Sequence, residues 1–360
     1  MAAPTLRRPS RIADDDSDVR RPPGMLILTI VAGALVAVMI AGVAIGPIRL
    51  AAGEILAIMF GKLTGGDLSA HSVAMQNVVW DLRLPRVILA AIVGASLAVA
   101  GASLQGLFGN SLADPGIVGV TSGASLGAII AIVTGLTVLG TWTVPVMSFV
   151  GGLGVTGVIY VLAQPDRKGG TVQLLLVGIA ITAIAGSVNG FFTYLADSTE
   201  LESIVYWQMG SLNRASWPAI LTVLPFFVLG LVTIHRLALP LDVLALGEKQ
   251  ARHVGLNVRA TRIGLVVATA LVVASAVAVA GSIGFVGLVI PHIVRLIVGP
   301  GHTWLLPISA LGGAIMLVAA DIGARTLNPP SEIPIGLFTG LVGGPFFLWL
   351  LYRRRTEMRA

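Results

Sequence analysis

Between Asp114 and Asp166 the chain carries no charged residue. A single helix over that distance would be roughly 75 Å long at about 1.5 Å per residue, more than twice the ~30 Å hydrocarbon thickness of a bilayer. The run therefore predicts two membrane-spanning helices that double back, with the break in GLTVLGTWTVP at residues 135–145. The same arithmetic divides the charge-free run 263–294, where Gly281, Gly284 and Gly287 mark the interruption.

The rest of the 360-residue chain follows suit. With 56% hydrophobic and 11% charged residues it has too few charges to cover a soluble globule, so it belongs in a membrane. Apolar spans are expected at 25–45, 87–108, 117–133, 144–163, 171–195 and 217–234, two within 263–294, and at 304–320 and 333–351. The predicted fold is all-α, a polytopic bundle of about ten transmembrane helices. Residues 1–24 read as a disordered tail, 25–352 as the membrane domain and 353–360 as a C-terminal tail. Residues 46–83 mix charges and glycines and form an extramembrane or interfacial segment; residues 197–214 form a polar connection. The basic and acidic clusters ahead of residue 25 lack the layout of a cleavable signal. The absence of cysteine excludes a disulfide framework, thiolate metal sites and cysteine nucleophiles.

One polar island interrupts the apolar sequence: LDVLALGEKQARHVGLNVRATR, residues 241–262. With the N-terminus inside, 17 of the 23 Lys and Arg fall in inner segments, this loop (236–262) among them, so the positive-inside rule predicts it to be cytoplasmic and both termini with it. The net charge of +6 is thus explained by topology rather than by nucleic acid, since the basic residues sit in short connections and not along one face.

Gly119, Gly123 and Gly127, and likewise Gly336, Gly340 and Gly344, recur every fourth residue, spacing that lets helices approach closely. Helix packing within one subunit is the plain explanation; a pore or dimer role is the sharper one. Gly123-Ala124-Ser125-Leu126-Gly127 matches the G-x-S-x-G pattern of hydrolases but lacks the strand–turn–helix context and the acid and histidine partners that chemistry needs. Ionisable residues are almost missing from the spans, and the histidines show no ligand spacing, which predicts no metal site or cofactor and argues against a proton-coupled transporter or a membrane enzyme. No G-x-x-x-x-G-K-[ST] phosphate loop is present. A water-facing docking loop on a bundle with no energy source of its own predicts a transport permease driven by a separate ATPase.

Four longer stretches resemble the FecCD-type permeases that import iron siderophores, haem and cobalamin. They are WDLRLPRVILAAIVGASLAVAGASLQGLFGNSLADPGIVGV from Trp80, the basic loop, AVAGSIGFVGLVIPHIVRLIVGPGHTWLLPISALGGA, and ADIGARTLNPPSEIPIGLFTGLVGGPFFLWLLYRR. The resemblance implies a type II ABC importer permease in the inner membrane. It also implies a second permease subunit, two cytoplasmic ATPase subunits, an extracytoplasmic solute-binding protein and an iron–siderophore cargo, with haem or cobalamin as alternatives.

The resemblance assigns residues too. ALGEKQARHVGLN is similar to the family's coupling helices, making Leu246, Gly247, Glu248, Ala251, Arg252 and Gly255 the expected ATPase contacts; the plain alternative for Glu248 and Arg252 is an i,i+4 pair on a solvated helix. Arg83, Arg86 and Arg325 match outer arginines that dock the binding protein. Asn110 and Leu112 in GNSLADPG, with Thr171, fall where the family narrows the path; Ser111 stands where the family usually has proline.

Overall fold

The computed structural model describes residues 23–46, 50–163, 170–329 and 331–357. The expected terminal tails lie outside these, apart from Pro23, Gly24 and the last turn of the final helix, as does all of the 164–169 turn. The described residues are helical with no strand. The helices are α1 (Gly24–Ala44), α2 (Ala52–Thr64), α3 (Val73–Asn77), α4 (Leu84–Phe108), α5 (Val120–Val133), α6 (Thr143–Ala163), α7 (Gly170–Leu195), α8 (Ser198–Met209), α9 (Trp217–Arg236), α10 (Ala238–Leu244), α11 (Glu248–His253), α12 (Val258–Ala280), α13 (Val286–Val298), α14 (His302–Thr326) and α15 (Ile335–Glu357). Seven helices are long and apolar enough to cross a membrane, and α5, α13 and α15 add three shorter apolar pieces, together the ten that the sequence predicts.

Local chemistry sets the boundaries. Pro85 cannot donate to the carbonyl four residues back, and the turn before it (Val78–Arg83) is wide: the Leu84 N–H reaches Val79 O, five residues away. The helix entering α4 thus runs on from Val73 without a break, longer at this end than the sequence indicates. Asp197 and Glu200 form a capping box that starts α8 inside the stretch expected to be a polar connection. The 263–294 run does break, at residues 281–285, where Phe285 takes the left-handed conformation (φ 68°) against Gly343.

The core is α4 crossed by α12, α13 and α14. Glycines make that crossing possible: a Cβ on Gly94 would lie 2.2 Å from Gly313 O, and one on Gly101 would lie 2.0 Å from Gly287 O. The two glycine series differ. Gly123 and Gly127 press on Gly151 and Met147 of α6, while Gly119 is the positive-φ residue (78°) that starts α5 and still abuts Ile159. Gly336 abuts Met209 of α8, but Gly340 and Gly344 meet nothing within 4 Å. Among the described residues a side chain at those two positions would meet open space.

Candidate functional site

The chain places three features along the bundle: a groove, a loop at one end and a charged cluster at the other. The groove, about 740 Å³, is walled by α5, α7, the end of α8 and Ser282 of the broken segment. Thr121, Ser122 and Ser125 of α5 share one face, as do Thr182, Gly186, Asn189 and Thr193 of α7, which follow helical spacing. Ser122 and Thr182 hydroxyls lie 3.4 Å apart and Asn189 Nδ2 donates to Ser125 Oγ at 3.3 Å, while Asn189 Oδ1 is buried without a partner. Every lining residue is hydroxyl, amide or glycine, and none is charged. Gly186 and Gly190 have open space where a side chain would stand, so they widen the groove. Ser125 lies mid-helix, far from the strand–turn–helix geometry of a hydrolase elbow.

Near one end the groove meets the turn between α4 and α5 at Gly116. Gly109 (φ 59°) ends α4, Asn110 Oδ1 accepts the Leu112 N–H, and Asp114 caps the next turn by accepting the Gly116 N–H at 2.8 Å. Burial pushes the Asp114 carboxyl above the usual carboxylate range, against the opposing pull of that hydrogen bond. Leu112 is 45% exposed; Thr171 is the second residue of α7, the helix that lines the groove higher up.

The basic loop folds as α10, a turn, α11 and the start of α12. Gly247 (φ 107°) and Gly255 (φ 86°) take backbone conformations that side chains rarely adopt, and so bracket α11. Apart from Gly247, which is half-buried, the residues singled out by sequence separate into two sets. Leu246, Arg252 and Gly255 are exposed, together with Lys249 and Val254. Ala251 is fully buried, and Glu248 turns inward: its Oε1 lies 2.5 Å from Arg262 Nη2, whose side chain is only 1% exposed. The i,i+4 contact with Arg252 is longer, 3.6 Å, and solvated. Glu248 Oε1 would also lie 3.5 Å from a Cβ on Gly170, so the same carboxylate sits beside the N-terminus of α7, where the helix dipole favours an anion. Asp242 of α10 accepts the His302 N–H at 2.9 Å and pairs with its Nδ1 at 2.6 Å, tying the loop to α14 as well.

At the far end, Arg83, Arg86 and Arg325 are engaged within the chain. Arg86 bridges Asp321 and Glu332, both at 2.8 Å, and Arg325 Nε lies 3.2 Å from the fully buried Asp321. Arg83 donates to Val43 O and Ala44 O at 2.9 and 3.1 Å, and Arg325 to Gly42 O. Three guanidinium groups thus meet two carboxylates and the negative C-terminal end of α1, which compensates the excess positive charge. The cluster ties α1, α4 and α14 to the 327–334 loop.

A transport-family model, FecCD, matches residues 34–353. The chain belongs to the FecCD transport family. It is 42% identical over 79% of its length to the hemin transport system permease protein HmuU of Yersinia pestis, covering 86% of that protein. It is 40% identical over 83% of its length to the vitamin B12 import system permease protein BtuC of Vibrio cholerae, covering 90% of it. A solved metal-chelate type ABC transporter in an inward-facing conformation superposes with a TM-score of 0.80 at 32% identity, over 91% of this chain and 99% of that one. This FecCD protein is accordingly a multi-pass ABC importer permease. Apart from Ser125, met only as a chance hydrolase pattern, the groove residues are ones that sequence reading does not single out; the signal that could have found them is the hydroxyl and amide stripe on α7 at helical spacing.

Proposed function

We propose that this permease is the membrane subunit of an ATP-driven, binding-protein-dependent importer that passes a bulky metal chelate through the α5–α7 groove. The observation that carries the reading is an uncharged polar stripe on α7, a helix otherwise turned outward with Leu176, Ile179 and Phe191 exposed. Hydroxyls and an amide on a lipid-facing surface are costly, so this flank fits against a second permease subunit, with an aqueous path between the two. The open Gly340 and Gly344 face of α15 also suits close approach of another helix. Two ATPase subunits would dock on Leu246, Arg252, Val254 and Gly255, with Glu248 and Ala251 holding the loop in shape. A solute-binding protein would dock at the opposite face, where Arg83, Arg86 and Arg325 brace the surface from within. Asn110, Leu112 and Thr171 would form the narrow end of the path.

The cargo expected from the sequence is a ferric siderophore. Haem or cobalamin is the second reading, favoured by the relatives named for hemin and vitamin B12. The test is uptake into proteoliposomes holding the complete complex, with each of the three chelates competing against the others. Siderophore-dependent iron accumulation supports the first reading, and accumulation of haem or cobalamin alone replaces it with the second. Asn189→Leu should cut uptake of the true cargo about tenfold while ATP turnover persists; unchanged uptake would remove the groove from the path.

A further inference from the structure

A second crevice lies outside the path. It holds about 460 Å³ between α1, α9 and α14, with Leu28, Leu231, Val232 and Leu306 on its walls. Among the described residues, its only charged or ionisable lining groups are His235 and Arg236, both exposed, at the end of α9. Neither is in an ion pair with any described residue. Nor is Arg236 needed to cap the helix, because the last carbonyls of α9 accept the Leu237 N–H. Trp304 of α14 covers Gly24 at the start of α1 at this same end, an amphipathic ring where a membrane interface would place one.

We infer that this crevice is a binding site for an anionic phospholipid. An apolar slot open on the flank of a membrane bundle accepts an acyl chain, and at its mouth the unpaired guanidinium matches a phosphate headgroup in charge while guanidinium and imidazole offer it donors. The site sits in the leaflet on the side of the basic loop. It joins α1 to α14, whose N-terminal turn is bonded to Asp242 of that loop, so an occupied crevice would stiffen the loop's attachment.

The test uses the full-length protein in nanodiscs of equal phosphatidylglycerol and phosphatidylcholine, released into the gas phase for native mass spectrometry. Wild type should retain phosphatidylglycerol over phosphatidylcholine by about fivefold, the effect of one basic side chain near an anionic headgroup. His235→Ala combined with Arg236→Ala should abolish the preference, and Arg236→Lys should keep it. Val232→Trp, which fills the slot from its exposed side, should lower retention of both lipids and serves if the double variant does not fold. Equal retention of the two lipids by wild type, or an undiminished preference in the double variant, would overturn the assignment.

Discussion

The Glu248–Arg262 bridge gives the sharpest mutational test of how the loop is built. Arg262 is 1% exposed and Glu248 36% exposed, so the two ends of one 2.5 Å contact have unequal solvation. Glu248→Gln takes this carboxylate away from the buried Arg262 cation. Breaking a fully buried pair this way costs about 3–5 kcal/mol; with one partner a third exposed, water shares the charge and the expected loss is about 1–3 kcal/mol. Arg262→Met leaves a carboxylate that can turn to water and Arg252, so it should cost less, under about 1 kcal/mol. Arg252→Ala breaks only the solvated 3.6 Å contact and should cost at most about 0.5 kcal/mol. Thermal unfolding of the purified permease in detergent ranks the three. In the reconstituted complex, Glu248→Gln should also leave ATP turnover intact while uptake falls about tenfold, because the carboxylate links α11 to the start of α7. A loss for Arg252→Ala equal to that for Glu248→Gln would show that the bridge is not what holds α11. Normal uptake by Glu248→Gln would refute the link to α7.

Three further outcomes follow from the geometry. Asp321→Asn removes the anion shared by Arg86 and Arg325 and should destabilise by about 3–5 kcal/mol, seen as a large fall in melting temperature; a fall no larger than that of Arg252→Ala would contradict the buried cluster. Gly127→Ala places a Cβ 1.9 Å from Met147 O and should cost at least about 1–3 kcal/mol, whereas Gly340→Ala meets open space and should be neutral or slightly stabilising in the isolated subunit, both read by thermal unfolding. Because the folded-state pKa of Asp114 is raised, the native state binds more protons than the unfolded state between the two pKa values, and stability falls as pH rises through that window. Asp114→Asn keeps a capping side chain and should melt higher than wild type at neutral pH, with the gap closing on acidification; a gap that widens at low pH would reverse the sign.

Much of the bundle is written in the sequence because lipid demands long apolar runs, and the charge-free stretches 115–165 and 263–294 could only be pairs of spans. The wide turn before Pro85 and the capping box at Asp197 are also local signals, but each sits among charged residues that read as loop. The site was less legible. Serine, threonine, asparagine and glycine scarcely change the hydropathy of α7, so the stripe from Thr182 to Thr193 vanishes in an apolar average and emerges only when α5 is set against it. Glu248 has an obvious neighbour at i+4, yet its closer partner, Arg262, is fourteen residues away and is buried by α12 packing that the spacing cannot reveal. The arginines Arg83, Arg86 and Arg325 sit in motifs shared with the family, but only the fold shows that they reach α1 carbonyls and Asp321.

The transport proposed for this permease moves a metal chelate across a membrane at the expense of a partner's ATP. Proteoliposomes containing the permease with its ATPase, and the binding protein on the other side, test it directly. Accumulation of the labelled chelate should require ATP on the side of the basic loop, persist when the proton gradient is collapsed, and fall about tenfold with Asn189→Leu. Accumulation that continues without ATP and stops when the gradient is collapsed would contradict it.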